Sequence, residues 1–310
     1  MSLGFVFPGQ GSQSVGMLAE MAGRYPIVRA TFDEAGDVLD LPLWALVSEG
    51  PQERLNQTEI TQPVLLTAST ALWRVWKAEG GRDPDVLAGH SLGEYSALVC
   101  AEALSFADAV ALVHQRGKLM QEAVPQGEGA MAAILGLEDD VVAQCCEAVD
   151  GVVSPANFNA PSQVVIAGAA AAVAAAVEKC NEAGARRAVP LQVSGPFHCE
   201  LMAPAKAGFA QALGAITLSM PRIPVVHNVD ASVAADLDEL RSKLLEQMAR
   251  PVQWTRCVEA MIGRGVDGFV ECGAGKVLAG LIKRIDRTKT VHNIDLPDDF
   301  AAAITQGGGR

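Results

Sequence analysis

Asp85-Val86-Leu87-Ala88-Gly89-His90-Ser91-Leu92-Gly93-Glu94-Tyr95-Ser96-Ala97-Leu98-Val99 decides how this chain folds. Asp85–Ala88 reads as a strand and Glu94–Val99 as a helix. The pentapeptide between them fits G-x-S-x-G, the pattern of a nucleophile elbow. A turn this sharp crowds its own backbone, so glycines flank it and the serine Oγ is lifted to the top of a sheet. The helix beneath supplies free N–H groups and a positive dipole end for a developing oxyanion. In a chain with 30 glycines the pentapeptide alone could arise by chance. Its place between strand and helix gives it catalytic meaning.

Working outward, the first 120 residues alternate strands and helices. A strand at Leu3–Phe7 ends in Pro8-Gly9-Gln10-Gly11. Helices are predicted around Val15–Arg24 and Ile27–Leu39, and a long apolar one from Gln62 to Trp76. Ser105 opens a further helix, Phe106–Glu122, because its hydroxyl can accept from the free N–H groups of the first turn. Strands separated by helices imply a mostly parallel sheet covered on both faces, an α/β fold.

The middle of the chain reads differently. Ala130–Leu137, Val152–Asn157, Val164–Ala167 and Ala188–Val193 are strand-like. Glu138–Val149 and Ala169–Ala183 are helical, the second closed by Gly184. The order β-α-β-β-α-β is that of a ferredoxin-like unit. A small inserted domain is therefore expected over 125–195, within a large discontinuous domain made of 1–124 and 196–310. There, helices are expected at Cys199–Leu213, Leu237–Met248, Trp254–Arg264 and from Val277. Short strands are expected at Val225-Val226, Gly268–Glu271 and Thr290–Asn293, and Gln306–Arg310 reads as a frayed tail.

Composition excludes several functions. With 310 residues, half of them apolar and 19% charged, the chain is globular. A net charge of −12 argues against nucleic-acid binding through a basic face. The Ala-rich run Ala167–Val177 is too short and too interrupted to span a membrane. Seven cysteines with no C-x-x-C spacing point to reduced thiols in the cytoplasm, and five scattered histidines to no metal site. No coiled coil or long apolar surface stretch is evident, so a monomer is expected.

Serine needs a base to become a nucleophile at neutral pH. His198, in Val193-Ser194-Gly195-Pro196-Phe197-His198, and His227 both follow segments that could hold an imidazole in a cleft. The residues alone leave the choice open. His90 adjoins the serine and points away from its Oγ. Asp108, Asp139, Asp140 and Asp150 look solvated, so a Ser–His dyad oriented by a backbone carbonyl is expected instead of a triad. Gly9-Gln10-Gly11 is a poor dinucleotide fingerprint because Ser14 stands at the third glycine position. It can instead lend a main-chain donor to the oxyanion. Gly273-Ala274-Gly275-Lys276 lacks P-loop spacing and reads as a tight strand-to-helix turn. Arg116, if turned inward, would form a bidentate pair with a substrate carboxylate.

Taken together, Phe7-Pro8-Gly9-Gln10-Gly11-Ser12-Gln13, Gly89-His90-Ser91-Leu92-Gly93-Glu94-Tyr95, Gln115-Arg116-Gly117, Asn159-Ala160-Pro161-Ser162-Gln163, Gly195-Pro196-Phe197-His198 and Pro251-Val252-Gln253-Trp254 carry a resemblance. The chain resembles the malonyl-CoA:acyl carrier protein transacylases of type II fatty-acid synthesis, and is similar to the acyltransferase domains of polyketide synthases. The resemblance runs from residue 1 to about 295. It implies a hydrolase-like α/β core with a ferredoxin-like insertion. It implies Ser91 as nucleophile and His198 as base and then acid. The main-chain N–H groups of Gln10 and Leu92 would form the oxyanion hole, Arg116 would hold the malonyl carboxylate, and Gln253 would orient the His198 ring. Asn159, Gln163 and Phe197 would line or support the cleft. Malonyl-CoA would be the donor and the phosphopantetheine thiol of acyl carrier protein the acceptor, with no permanently bound cofactor.

Two positions depart from the family pattern. Many members carry serine where Phe197 stands, and a bulky residue there favours a small acyl group. Ser162 replaces a common glycine. An acidic carrier protein approaching a chain at −12 needs a local basic patch. Lys276, Lys283, Arg284 and Arg287, with Lys289 and the pair Arg186-Arg187, are the candidates. The competing readings are a serine esterase on the same elbow, a carrier-binding module without catalysis, and a polyketide acyltransferase.

Overall fold

Residues 2–307 are described in a computed structural model of the chain. The strands among them run, in chain order, β1 (Ser2–Phe7), β2 (Val86–Gly89), β3 (Gly129–Leu135), β4 (Val153–Ala160), β5 (Gln163–Ala169), β6 (Arg187–Pro190), β7 (Val225–Val226), β8 (Val266–Glu271) and β9 (Thr290–Asn293). Five of them form one sheet in the order β7-β2-β1-β8-β9, every pair parallel. Such a sheet needs helices on both faces, and alternation along β1 shows that it has them. Leu3, Phe5 and Phe7 enter the larger core, where Phe5 meets the edges of Trp73 and Trp76 at 5.5 and 5.1 Å between ring centres. Val6 points the other way, into a second core with Trp254, Val258 and Ile282.

The long helix beneath β1, Thr58–Ala78, carries Pro63 in its second turn. Proline has no N–H, so the Glu59 carbonyl loses its usual helical partner. His114 fills the gap: its Nδ1 donates to Glu59 O at 2.8 Å. That bond ties the helix to its neighbour, Phe106–Glu122, in which Ser105 Oγ accepts from the Asp108 N–H at 3.1 Å. The backbones come close where they cross, since a Cβ on Gly117 would sit 2.6 Å from Thr58 O. Arg116 is thereby pressed into the interior.

The remaining strands form an antiparallel sheet, β4-β5-β3-β6, lying between Gly129 and Pro190 and so inside the stretch 125–195. Helices Asp139–Glu147 and Ala170–Glu182 cover one face. Ala132, Ile134, Val142, Ile166, Val173 and Cys180 make its separate core. This is the ferredoxin-like order, with the first and third of the four strands side by side at the centre.

Several boundaries move. Only Ala19–Arg24 of the stretch Val15–Arg24 is helical, because Gly16 and Leu18 both take positive φ, 86° and 60°. Short helices at Leu43–Glu49 and Gln52–Leu55 fill a region that showed no pattern. β6 starts and stops earlier than Ala188–Val193, ending at Pro190, after which Leu191 N–H still donates to Met131 O at 2.9 Å. Gln306 and Gly307 are not a tail. They close a helix, Pro297–Gly307, that seats Phe300 against Trp76 and Tyr25, while Gly308, Gly309 and Arg310 lie outside the described residues. All seven cysteines are free and buried. Among the described residues no helix is long and apolar enough to cross a membrane, and no cluster of His, Cys, Asp or Glu is placed to hold a metal ion.

Candidate active site

β2 runs straight into the elbow, and Ser91 takes φ 52° at its apex. A non-glycine residue in this left-handed region is strained and persists only where its surroundings hold it. Here they do. A Cβ on Gly93 would lie 2.0 Å from Phe7 O, and one on Gly89 would lie 1.8 Å from the Gly93 carbonyl carbon, so both flanks are closed to any side chain. Asn228 clamps the turn from the far side. Its Oδ1 accepts the Ser91 N–H at 2.7 Å and its Nδ2 donates to Gly89 O at 2.7 Å. Helix Gly93–Cys100 follows.

His198 reaches the serine from the chain that leaves the antiparallel sheet. Its Nε2 stands 2.7 Å from Ser91 Oγ, and its Nδ1 donates to the Gln247 main-chain oxygen at 2.7 Å. A carbonyl only accepts, so Nδ1 carries the proton and Nε2 presents its lone pair to the hydroxyl. That is the tautomer a general base requires. Burial, reinforced by the Arg116 charge, pushes the ring down to about 3, so it is neutral at physiological pH. The other candidate base, His227, is fully buried on the opposite side of the elbow, with Nδ1 on Glu94 Oε1 at 2.7 Å. His90 turns away to Asn159 Oδ1 at 2.8 Å.

The ring's anchor differs from the one expected. Gln253 opens helix Trp254–Gly263, and its N–H is spent on Asn228 O. Gln247, the last residue of helix Leu237–Gln247, takes the role. The final carbonyls of a helix have no partner within it, so one is free for the imidazole, and the negative dipole end favours the cation that forms on it. The signal lay in a helix end, which the motif around Gln253 obscured.

Arg116 is 1% exposed. Its Nη1 donates to Gln62 Oε1 at 2.8 Å, and its Nη2 to Gln247 Oε1 at 2.8 Å and to Ser91 Oγ at 3.3 Å. The guanidinium also lies 5.2 Å from the Tyr95 ring centre. Burial pushes it below its usual range. A desolvated cation beside the nucleophile, paired only with neutral groups, is a ready site for an anionic substrate group.

Ser91, His198, Arg116 and Gln62 line a cavity of about 110 Å³. Gln10, Leu92 and Phe197 share it, as expected, and no acceptor among the described residues takes the Gln10 or Leu92 main-chain N–H. The antiparallel sheet and the chain after it close the cavity with Met131, Asn157, Leu191 and Val193. Asn157 was not anticipated. It sits at a register shift in β4 between Pro155 and Asn157, and its buried Oδ1 has no partner. A bulge re-aims side chains in a way that simple alternation does not reveal. Asn159 only supports the wall through His90. Gln163 does neither: its Oε1 accepts from Arg284 Nη1 at 2.9 Å on the outside.

The basic residues near the C-terminus are exposed but not all unpaired. Lys276 meets Asp299 at 2.8 Å, Lys283 donates to Lys289 O, and Arg284 holds Gln163, while Arg287 is exposed. The turn at Gly273–Lys276 is not a phosphate cradle. The N-terminus of the helix behind it already holds the Glu271 carboxylate, which accepts from Leu278 and Ala279 N–H at 3.0 and 2.8 Å.

Comparison with known proteins gives one family throughout. The acyl transferase domain matches residues 4–293. The malonyl CoA-acyl carrier protein transacylase of Salmonella typhimurium is 57% identical over 304 residues, covering 97% of this chain and 98% of that protein. The Bacillus subtilis protein of the same name is 45% identical over 305 residues, covering 97% and 96%. Among solved structures, a malonyl-transacylase in complex with a type II polyketide acyl-carrier protein superposes with a TM-score of 0.97 at 49% identity, covering 99% of this chain and 100% of that one. The malonyl CoA-acyl carrier protein transacylase of Coxiella burnetii gives 0.97 at 48%, covering 99% and 98%.

Proposed function

This chain belongs to the acyl transferase domain family, and from that premise we propose that it carries a malonyl group from malonyl-CoA to the phosphopantetheine thiol of an acyl carrier protein. The transfer passes through a malonyl-serine ester and supplies malonyl carrier protein for fatty-acid elongation. The observation that carries the reading is the buried Arg116 guanidinium 3.3 Å from a serine that His198 already holds at 2.7 Å. An esterase for neutral acyl groups has no use for that cation.

His198 Nε2 takes the Ser91 hydroxyl proton as Oγ bonds to the thioester carbonyl carbon. The oxyanion is received by the Gln10 and Leu92 N–H groups. Collapse breaks the carbon–sulfur bond, and His198 returns the proton to the departing coenzyme A sulfur. In the second half the carrier thiol gives its proton to His198 and its sulfur attacks the ester carbonyl. Ser91 leaves and recovers the proton. Arg116 holds the malonyl carboxylate throughout, so the reacting carbon stays in place while thiols exchange. The reaction as written needs no cofactor.

The carrier protein approaches, on this reading, over Lys276, Lys283, Arg284 and Arg287. The enzyme acts in the cytoplasm as a monomer, consistent with large exposed apolar side chains spread over separate elements. Intact-protein mass spectrometry after brief exposure to malonyl-CoA or acetyl-CoA tests the chemistry. A malonyl adduct on native protein, little acetyl adduct, and neither on Ser91→Ala is the expected result. No adduct from either donor on folded protein would overturn the reading.

A further inference from the structure

Glu94 opens the elbow helix and is wholly buried. Its Oε1 accepts from His227 Nδ1 at 2.7 Å, and its Oε2 accepts from the Asn228 N–H and from Gln247 Nε2, both at 2.9 Å. Every partner is a donor, so the ionised carboxylate is the form the site fits. His227 does not cancel that charge. Its Nε2 is buried with no partner, and a proton there would be an orphaned donor.

The charge that answers Glu94 is Arg116. The two do not touch, and no carboxylate lies within ion-pair distance of the guanidinium among the described residues. Gln247 stands between them. Its Oε1 accepts from Arg116 Nη2 at 2.8 Å while its Nε2 donates to Glu94 and, at 3.0 Å, to Ser91 O. A carboxylate placed directly on Arg116 would fill the guanidinium fork. A carboxylate one amide away compensates the charge and leaves the edge beside Ser91 open. It also fixes which way the Gln247 amide faces, on the residue whose carbonyl holds His198.

We propose that Glu94 is the fixed counter-anion of Arg116. It is a positioning residue, acting through Gln247, that compensates the arginine's charge yet leaves it free to grip the carboxylate of an incoming acyl group. The inference rests on the malonyl-transfer reading. It adds that the grip is tempered: the buried negative charge limits how tightly the substrate carboxylate is held, and it offsets the positive charge that develops on His198.

Glu94→Gln tests the charge with little change of shape. The amide oxygen can still accept from Asn228 and Gln247, while its NH2 turns His227 to the other tautomer with a buried Nε2–H, so the melting temperature is read beside the kinetics. With melting temperature near native, the expected result is a KM for malonyl-CoA lowered several-fold, because Arg116 is unopposed. Acylation of Ser91 by acetyl-CoA, which brings no compensating anion, falls at least about tenfold. Glu94→Asp restores both toward native. Unchanged KM with equal losses for the two donors overturns the proposal, because a merely structural disturbance would do that. If Glu94→Gln does not fold, infrared spectroscopy of the native protein decides. A protonated-carboxyl band at neutral pH that shifts in Glu94→Asp overturns the proposal, and a spectrum with no band that responds to that change supports it. Native protein that takes no malonyl group would sink the functional reading. Native transfer with identical Glu94→Gln kinetics would sink only this inference.

Discussion

Ser91 and His198 meet in one hydrogen bond, and both take the left-handed backbone region, at φ 52° and 61°. They are held there by different means. Around Ser91 the restraint is mainly steric, with Gly89 packed on Gly93 inside the turn and Gly93 on Phe7 O of β1, and Asn228 adds two hydrogen bonds. Around His198 the restraint comes from a helix end almost fifty residues away, through the Gln247 carbonyl. The glycines a nucleophile turn needs are written into its own pentapeptide. The base that serves it is written into the packing of two distant segments.

Four experiments press on that contrast. The largest effect is on rate. His198→Ala removes the base but leaves the elbow untouched, so malonyl transfer should fall by about 10²–10⁴-fold in a steady-state thiol-transfer assay while the melting temperature hardly moves. Gly93→Ala attacks the other side. Its Cβ would meet backbone that cannot yield, and chemical denaturation should show a loss of about 3 kcal/mol. Activity lost without stability lost in that variant would mean the elbow is less rigid than its contacts imply.

The third effect is on acid stability. Burial holds His198 near 3, whereas in the unfolded chain the ring titrates at its ordinary 6.5. Between those values the unfolded state binds the extra proton, so stability is fully present above 6.5 and drains away as pH falls toward 3. Native protein should therefore lose more stability than His198→Gln on acidification through that window. Parallel denaturation curves for the two at successive pH values make the measurement, and identical slopes would show the ring to be less desolvated. The smallest effect belongs to Gln253→Ala. Its side chain is not on His198, so transfer should stay within about twofold of native. A large loss would restore Gln253 as the orienting residue.

Local sequence carried more of the fold than of the site. Ser105 announced its helix because a cap acts within one turn, and the strand–turn–helix at Ser91 is a pattern of neighbours. The order of elements in 129–190 was legible for the same reason. Asn157, Gln247 and Glu94 were not. A bulge in β4 turned the first into the cavity. The second sits at the end of a helix whose sequence looks like any amphipathic helix, and only the tertiary contact shows that its carbonyl is used. The third reads as an ordinary first-turn glutamate, since acidic residues favour helix N-termini everywhere.

The sequence by itself determined the alternation of strands and helices, the inserted ferredoxin-like unit, the nucleophile and, through six ordered motifs, the family. Those are set by periodicity, by close contacts within a few residues and by chain order. The tertiary structure alone decided which carbonyl holds the histidine and which amides hold the arginine. It also decided where the compensating carboxylate lies. Hydrogen bonds between distant segments depend on angle and distance in space, and no spacing along the chain encodes either.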